Sequence, residues 1–479
     1  MRTLAVTILA LGLATWLVAG DEQAKPIDAP GTELQIHFGV NNLGYIDVCG
    51  CKHKKVRQGS VTRRASYLSQ VRGRGHNVAL VDGGNTFFSD KHLRAKDHEK
   101  RELIEQSKVL VESMNRMGYH AMTVGHYDFL MGLDSLLALQ KLAKFPFVCA
   151  NLVDEKTGEL LFQPTYEFEQ GDVKVGVVGL MLSSVQPHYF NKRAPGYKVT
   201  DHIEAAKKHV WQLRSRNDVV LVLSHNTVED NVRLAQEVKG IDFIVDPFLK
   251  DGHHKLWLED NQLMQEEGTT LIARVDSQGA RLGVIDLRVI KGGTPYVNRE
   301  TTPVPEGRSS YQYRRVSIEP HLLEDPEIKL LVDSFKKASK TFIDTESLPP
   351  LPNKDKYLKA STCQACHPDQ YAFWKKTKHG TAFASLEETG DQYRQECIGC
   401  HVLGYGQTFI APEHAEPYKD VQCESCHGLN PEHPTNPAAH PWPRIKEASC
   451  LTCHNERQTR SKFVFPRERP KIACPKIKR

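Results

Sequence analysis

The sequence predicts two domains of different kinds. Residues 33–300 read as a layered α/β domain. Residues 357–479 read as a mainly helical and irregular domain whose interior is filled by something other than apolar side chains. Three observations carry this. Apolar, strand-like runs alternate with amphipathic helical stretches from Glu33 to about Ile290, the pattern of covered sheets. At 479 residues the chain exceeds one ordinary domain. Cysteine usage also breaks sharply: Cys49, Cys51 and Cys149 serve the first three hundred residues, whereas Cys363, Cys366, Cys397, Cys400, Cys423, Cys426, Cys450, Cys453 and Cys474 crowd the last part.

Residues 1–20 place Arg2 before a continuous apolar stretch that ends in the small residues Ala19 and Gly20, followed by polar sequence. This is the layout of a cleaved secretory signal. An uncleaved membrane anchor is the alternative, because the run is near the lower limit for spanning a bilayer. Both readings put the rest of the chain outside the cytoplasm, in the periplasm, and no other segment is apolar enough to span. The strand-like runs are 33-ELQIHFGV, 77-NVALVDGG, 145-FPFVCANL, 174-KVGVVGLM, 218-DVVLVLSH and 241-IDFIV. Helical spacing of apolar residues marks 101-RELIEQSKVLVESMNRMG and 201-DHIEAAKKHVWQLRSR. The runs 270-TLIARV and 280-ARLGVIDLRV, joined through Ser277-Gln278-Gly279, predict a hairpin. Residues 301–356 are expected to connect the domains. They hold a helix in 325-DPEIKLLVDSFKKASKTF, with Pro326 at its first position, and a stiff proline-rich linker at 348-LPPLPNKDK.

A formal charge of +5, with no basic run interleaved with aromatics, argues against a nucleic-acid binder. The C-terminal part is rich in Cys, His, Pro and Gly and poor in periodic structure, so it needs a filler for its interior.

That filler is written four times, as 363-CQACH, 397-CIGCH, 423-CESCH and 450-CLTCH. In Cys-x-x-Cys-His the two thiols form thioethers to a haem and the adjacent histidine binds the iron. One short turn must reach both vinyl groups and present the imidazole, hence the spacing. From this composition chance supplies roughly 0.01 such pentapeptides in the chain. Zinc held by paired Cys-x-x-Cys motifs is the competing reading. The histidine after every pair, which zinc does not need, and export both favour haem. The sequence therefore predicts four covalently bound c-type haems, on Cys363/Cys366, Cys397/Cys400, Cys423/Cys426 and Cys450/Cys453, with His367, His401, His427 and His454 as proximal ligands. First cysteines separated by 34, 26 and 27 residues leave too little polypeptide to insulate the haems from one another. Closely packed haems relay electrons.

Four further histidines stand in this domain. His379, on a helical stretch after the first motif, and His433, after the third, are the leading distal candidates; His414 and His440 complete the set. If all four bind, every iron is saturated and the domain only transfers electrons. An iron left five-coordinate is open to small-molecule chemistry.

Residues 357–479 resemble the tetrahaem cytochrome c-554 family. The resemblance is carried by YLKASTCQACH, the downstream Trp374 and His379, CIGCHVLGYG, and VQCESCHGLNPEH. It implies a periplasmic electron carrier with closely stacked haems, most of them bis-histidine, of which one can be five-coordinate.

Residues 33–290 resemble the secreted 5′-nucleotidase branch of the metallophosphoesterases, through 44-GYIDVCGC, 60-SVTRRASYL, 80-LVDGGNTFF, 123-TVGHYDFLMG, 145-FPFVCANLVDEKTG, 176-GVVGL, 222-VLSH and 241-IDFIV. The resemblance implies a four-layer α/β/β/α sandwich with two metals at the ends of the central strands. Matched to the family's motifs, the ligand set is depleted. Asn41 and Leu43 stand where Asp-x-His is needed, and Gly84-Asn85 stands where the bridging aspartate belongs. Gly125-His126-Tyr127-Asp128 replaces Gly-Asn-His-Asp/Glu. Ser224-His225 survives, whereas Asp246-Pro247-Phe248-Leu249-Lys250 replaces Gly-His-x-His. Two-metal hydrolysis needs carboxylates and imidazoles to hold both cations, so the domain is expected to be catalytically degenerate, a scaffold or docking module. The pair His253-His254 is expected to be a solvated loop.

Cys49 and Cys51 admit a small-ring disulfide, a partial metal site with His53, or a family imprint. Cys149 is expected to be a core thiol, and Cys474 lacks a haem-attachment context. The expected function is periplasmic electron transfer, with other cytochromes or a quinol-linked complex as redox partners. A redox enzyme acting on a small nitrogen or sulfur species at an open haem is the alternative. An active metal-dependent phosphatase ranks third.

Overall fold

The computed structural model describes residues 31–48, 59–182, 190, 192–250, 253–254, 257–343, 351, 354–409, 411–414, 416–442, 444–455 and 463–476. The signal-like segment 1–20, Cys49, Cys51 and most of the proline-rich linker lie outside them. No helix among the described residues is long and apolar enough to cross a membrane.

Two sheets face each other. The first is built from β1 (Thr32–Gly39), β2 (Val78–Asp82), β3 (Ala121–Thr123), β4 (Phe147–Val148), β15 (Arg281–Val289), β16 (Val297–Asn298) and β17 (Ser310–Ser317), in the order β16-β17-β15-β1-β2-β3-β4. The second is built from β6 (Thr165–Gln170), β7 (Val173–Met181), β9 (Val219–His225), β10 (Phe243–Asp246), β13 (Met264–Glu267) and β14 (Thr270–Arg274), in the order β13-β14-β10-β9-β7-β6. Two small ribbons pair β5 (Leu152–Asp154) with β8 (Tyr197–Val199) and β11 (Leu249–Lys250) with β12 (His253–His254).

Side-chain alternation sorts each strand into faces. Leu34, Ile36 and Phe38 of β1 and Val219, Leu221 and Leu223 of β9 point into the layer between the sheets, with Phe243, Leu271 and Ile285. Val220 and Val222 of β9 point outward, against α4 (His202–Arg214) and α5 (Val228–Glu237). On the other side α1 (Val61–Gly73), α2 (Asp97–Met117) and α3 (Leu133–Leu142) cover Leu80, Met122 and Phe147 of the first sheet. Three apolar layers thus separate four structural ones, in the order α/β/β/α. The helix starts are chemically fixed: Ser60, Asp201 and Thr227 accept from the backbone N–H groups of Thr62, Glu204 and Asp230. Gly118 closes α2 at φ 72°.

Two expectations change. The runs at 270 and 280 are not hairpin partners. β14 pairs with β10 and β13 in the second sheet, whereas β15 pairs with β1 and β17 in the first. Both strands are buried on both faces, and the turn at Ser277-Gln278-Gly279 carries the chain across the sandwich. Nor do residues 301–343 merely connect domains. β17 is an interior strand of the first sheet. The next helix, α6 (Pro326–Phe342), buries Ile328, Val332 and Phe335 in the α1/α2 core. Asp325 caps it by accepting from Glu327 and Ile328, with Pro326 at the first turn, as the sequence predicts.

The C-terminal part is built of short helices: α7 (Ala360–Gln364), α8 (Pro368–Lys375), α9 (Ala384–Thr389), α10 (Gln395–His401), α11 (Cys423–His427), α12 (Glu447–Leu451) and α13 (Phe465–Glu468). Its apolar cluster is small, centred on Phe383, Leu386, Ile398, Leu403 and Phe409 around the second motif.

Candidate haem centres and the strand-end cradle

The C-terminal ends of β1, β2, β3, β9 and β10 meet at one rim, where α/β sheets place their ligands. Asn41, at φ 47°, donates through Nδ2 to the Pro247 carbonyl at 3.0 Å. Asn85, at φ 52°, accepts from the Tyr127 N–H at 2.9 Å. Asp128 is fully enclosed: Oδ1 accepts from Phe87 N at 2.9 Å, and Oδ2 from Asn85 N at 2.9 Å and Gly125 N at 2.8 Å. Burial raises its pKa to about 7, against the pull of those amides. Asp82 accepts from Gly84 N and Thr86 Oγ1, and burial raises it to about 6. His225 bonds through Nδ1 to the Gly83 carbonyl at 3.0 Å, and its ring centre lies 5.6 Å from that of His126. Asp246 is paired with Arg274 at 2.6 Å, both buried, and the guanidinium lies 5.4 Å from the Phe248 ring centre. The carboxylates at this rim therefore serve backbone amides, a hydroxyl and a guanidinium, although Oδ2 of Asp82 is buried without a hydrogen-bond partner. Among the described residues no group of three or more His, Cys, Asp or Glu is placed to hold a metal ion. The His253–His254 backbone forms β12 rather than a loop. Cys149 is the expected core thiol, fully buried and raised to about 12 by that burial.

Each Cys-x-x-Cys-His segment closes a single helical turn. The His367 N–H bonds to the Cys363 carbonyl at 2.9 Å and the His454 N–H to the Cys450 carbonyl at 2.8 Å. The turn thereby sets both thiols and the imidazole beside one another. The motifs also meet in pairs: the Cys363 side chain neighbours that of Cys423, and the Cys400 side chain that of Cys453.

The histidines sort cleanly. The ring centres of His367 and His433 are 6.1 Å apart, and those of His379 and His454 are 6.0 Å apart. With about 2 Å from a metal to each ligating nitrogen and about 1.1 Å from there to the ring centre, two axial imidazoles of one iron lie about 6.2 Å apart. His433 bonds through Nδ1 to the His440 carbonyl at 2.8 Å, and His401 through Nδ1 to the Ala382 carbonyl at 2.6 Å. Such bonds fix the tautomer and would leave Nε2 available to a metal. Burial lowers the pKa values of His379, His401 and His427, favouring the neutral imidazole a metal requires. The His440 ring instead pairs with Glu432 at 3.3 Å, both exposed, and meets no motif histidine. His414 falls in a described turn, but its side chain lies outside the described set. Among the described residues, no second imidazole stands at this spacing from His401 or His427; the His427 ring lies 6.2 Å from that of Trp442. Cys474 is exposed.

A polar seam that sequence reasoning missed joins the two parts. Glu396, one residue before Cys397, binds Lys91 Nζ at 2.5 Å, His92 Nε2 at 2.8 Å and Arg394 at 3.3 Å. Arg394 reaches Glu102 of α2 at 3.4 Å and donates to Gln106, and the Gln395 N–H donates to Glu102 at 2.9 Å. Lys336 of α6 bridges Asp47 at 2.7 Å and Asp391 at 3.4 Å. The charged run 391-DQYRQE before the second motif is the one sequence signal; the partners of Arg394, Gln395 and Glu396 on the sandwich lie some three hundred residues away in the chain, and that of Asp391 lies 55 away.

The chain thus joins a nucleotidase-like sandwich to a segment that carries four Cys-x-x-Cys-His motifs. A model of the family described as cytochrome c554 and c-prime matches residues 362–428, which takes in the first three motifs and implies covalently bound haem. The snake venom 5′-nucleotidase of Naja atra is 29% identical over 195 residues, which cover 39% of this chain and 34% of the relative. Protein UshA of Salmonella pullorum is 26% identical over 321 residues, 59% of this chain and 54% of the relative. The chain thus spans about a third to a half of the length of these relatives. A 5′-nucleotidase precursor from Thermus thermophilus aligns in structure with a TM-score of 0.49 at 19% identity, covering 64% of this chain and 59% of that one. The N-terminal part is similar to nucleotidases, and the C-terminal part to cytochromes c554.

Proposed function

We propose that this chain is a periplasmic electron-transfer protein that carries four covalent c-type haems. Its sandwich acts as a metal-free scaffold, and its partners are other redox proteins. The observation that carries this reading is the pair of imidazole couples, His367/His433 and His379/His454, at the spacing of two axial ligands to one iron. The thiols of the four motifs are the attachment points. His367, His401, His427 and His454 are the proximal donors, and His433 and His379 reach across from other motifs. Haem so held supplies a one-electron Fe(III)/Fe(II) couple. The protein's part is to hold the imidazoles neutral and oriented, through the His433–His440 and His401–Ala382 bonds, and to set motifs in neighbouring pairs, Cys363 beside Cys423 and Cys400 beside Cys453. Neighbouring motifs support electron passage from haem to haem. Intact-mass measurement and a carbon monoxide titration of the purified protein test the reading. Four haems, mostly unreactive to carbon monoxide, are expected; fewer than four, or mostly reactive iron, would overturn it.

A second reading has one observation in its favour. Among the described residues no second imidazole stands about 6 Å from His401 or His427, the spacing of the other two couples, so an open iron there would make the chain a redox enzyme on a small nitrogen or sulfur species. Trapping of a reactive fraction by nitrite, sulfite or hydroxylamine separates the two.

For the sandwich, the donor set at the rim does not fit two dications. The bridging position is the amide Asn85, whose oxygen already accepts from Tyr127. Leu43 and Phe248 offer no donor, and Asp246 is already paired with the guanidinium of Arg274. Such a set does not support two-metal hydrolysis. Stoichiometric manganese or zinc after haem extraction, with phosphatase turnover, would contradict the scaffold role.

A further inference from the structure

The seam between the two parts is made by one haem-binding segment. Residues 389–413 supply the cytochrome side: Asp391, Arg394, Gln395, Glu396 and Tyr405 meet Lys336, Glu102, Lys91, His92 and Glu99. Arg394, 6% exposed, lies over the Phe335 ring at 5.4 Å, and its carbonyl accepts from the Cys397 N–H at 2.9 Å. Glu396 is the residue before that sulfur, and three cationic or imidazole groups surround it: Lys91, His92 and Arg394. Two opposite charges are therefore fixed at the attachment edge of the second haem, and the sandwich fixes them. The helices of the third and fourth motifs instead pack on each other, α11 against α12.

We infer that the sandwich sets the reduction potential of the haem on Cys397 and Cys400, with Arg394 and Glu396 as the positioning residues that hold opposite charges against it across the domain seam. This rests on the four-haem reading and assigns the nucleotidase-like domain a role in electron transfer. A charge held in a water-poor seam acts more strongly on a nearby couple than one in solvent. Gaining an electron makes the haem more negative, so Arg394 favours the reduced state and Glu396 the oxidised one. Removing each charge must then move the couple in opposite directions, which mere loosening of the seam does not do.

The experiment is a spectroelectrochemical titration of the full, haem-loaded chain and of its Arg394→Gln and Glu396→Gln variants, with haem content checked by intact mass. In Arg394→Gln one of the four one-electron components moves to lower potential, and in Glu396→Gln the same component moves higher. Shifts of the same sign in both, a common drift of all components, or no shift in a four-haem chain overturns the inference alone. A chain with no haem on the second motif overturns it together with the four-haem reading. Should Arg394→Gln fail to fold, Glu396→Gln decides: an upward move of one component supports the inference, and its absence refutes it.

Discussion

Replacing His433 with alanine isolates the axial role of one imidazole. Its ring centre stands 6.1 Å from that of His367, against about 6.2 Å for two imidazoles on one iron. Its Nδ1 is engaged by the His440 carbonyl, which leaves Nε2 as the nitrogen available to a metal. Removing the ring leaves one iron of four without its sixth ligand, so about a quarter of the haem turns high-spin and reactive to carbon monoxide. His379→Ala opens a different iron, the one on His454, because that couple is separate. The double variant therefore exposes about half of the haem, the sum expected of independent sites. His440→Ala is the control, since its ring pairs with exposed Glu432 and not with a motif histidine. Electron paramagnetic resonance and carbon monoxide difference spectra read the fractions. An unchanged reactive fraction in His433→Ala, or a double variant no more reactive than either single one, refutes the pairing.

Three stability predictions concern the sandwich and the seam. Asp128→Asn turns an amide NH₂ toward backbone N–H donors that both carboxylate oxygens now accept; chemical denaturation should show a loss of about 1–3 kcal/mol for each donor stranded. Arg274→Met leaves Asp246 buried without its counter-charge, at a cost of about 3–5 kcal/mol, and an unchanged denaturation midpoint would contradict the buried pair. Glu102→Gln tests pH linkage. Burial raises Glu102 from 4.5 to about 7, so the folded chain holds this proton more tightly than the unfolded one. Wild type then loses stability from this group as pH rises through that window, and the glutamine variant, having no proton to lose, does not. The variant's stability relative to wild type should therefore improve between about pH 4.5 and 7, by up to the order of 3 kcal/mol. A difference independent of pH would show that Glu102 is not titrating there.

Local chemistry makes much of this protein legible in its sequence. Cys-x-x-Cys-His must close on one turn to do its work, so the proposed attachment cysteines and proximal histidines follow from four pentapeptides. Strand alternation, the Asp325-Pro326 helix start and the amide at Asn85 are likewise properties of short segments. What requires the tertiary structure is everything that joins distant segments. Nothing near position 433 says that its ring faces His367 and not His427, or that His379 faces His454 and not its own motif. The turn at Ser277-Gln278-Gly279 has the composition of a hairpin; the two buried sheets on either side make it a crossing. Ser310–Ser317 has the look of connecting sequence, and only the open edge of β15 makes it a strand. The seam of Arg394, Glu396 and Glu102 is invisible in sequence for the same reason: a charge announces itself there, whereas its partner is chosen by the fold that brings two remote surfaces together and excludes water from between them.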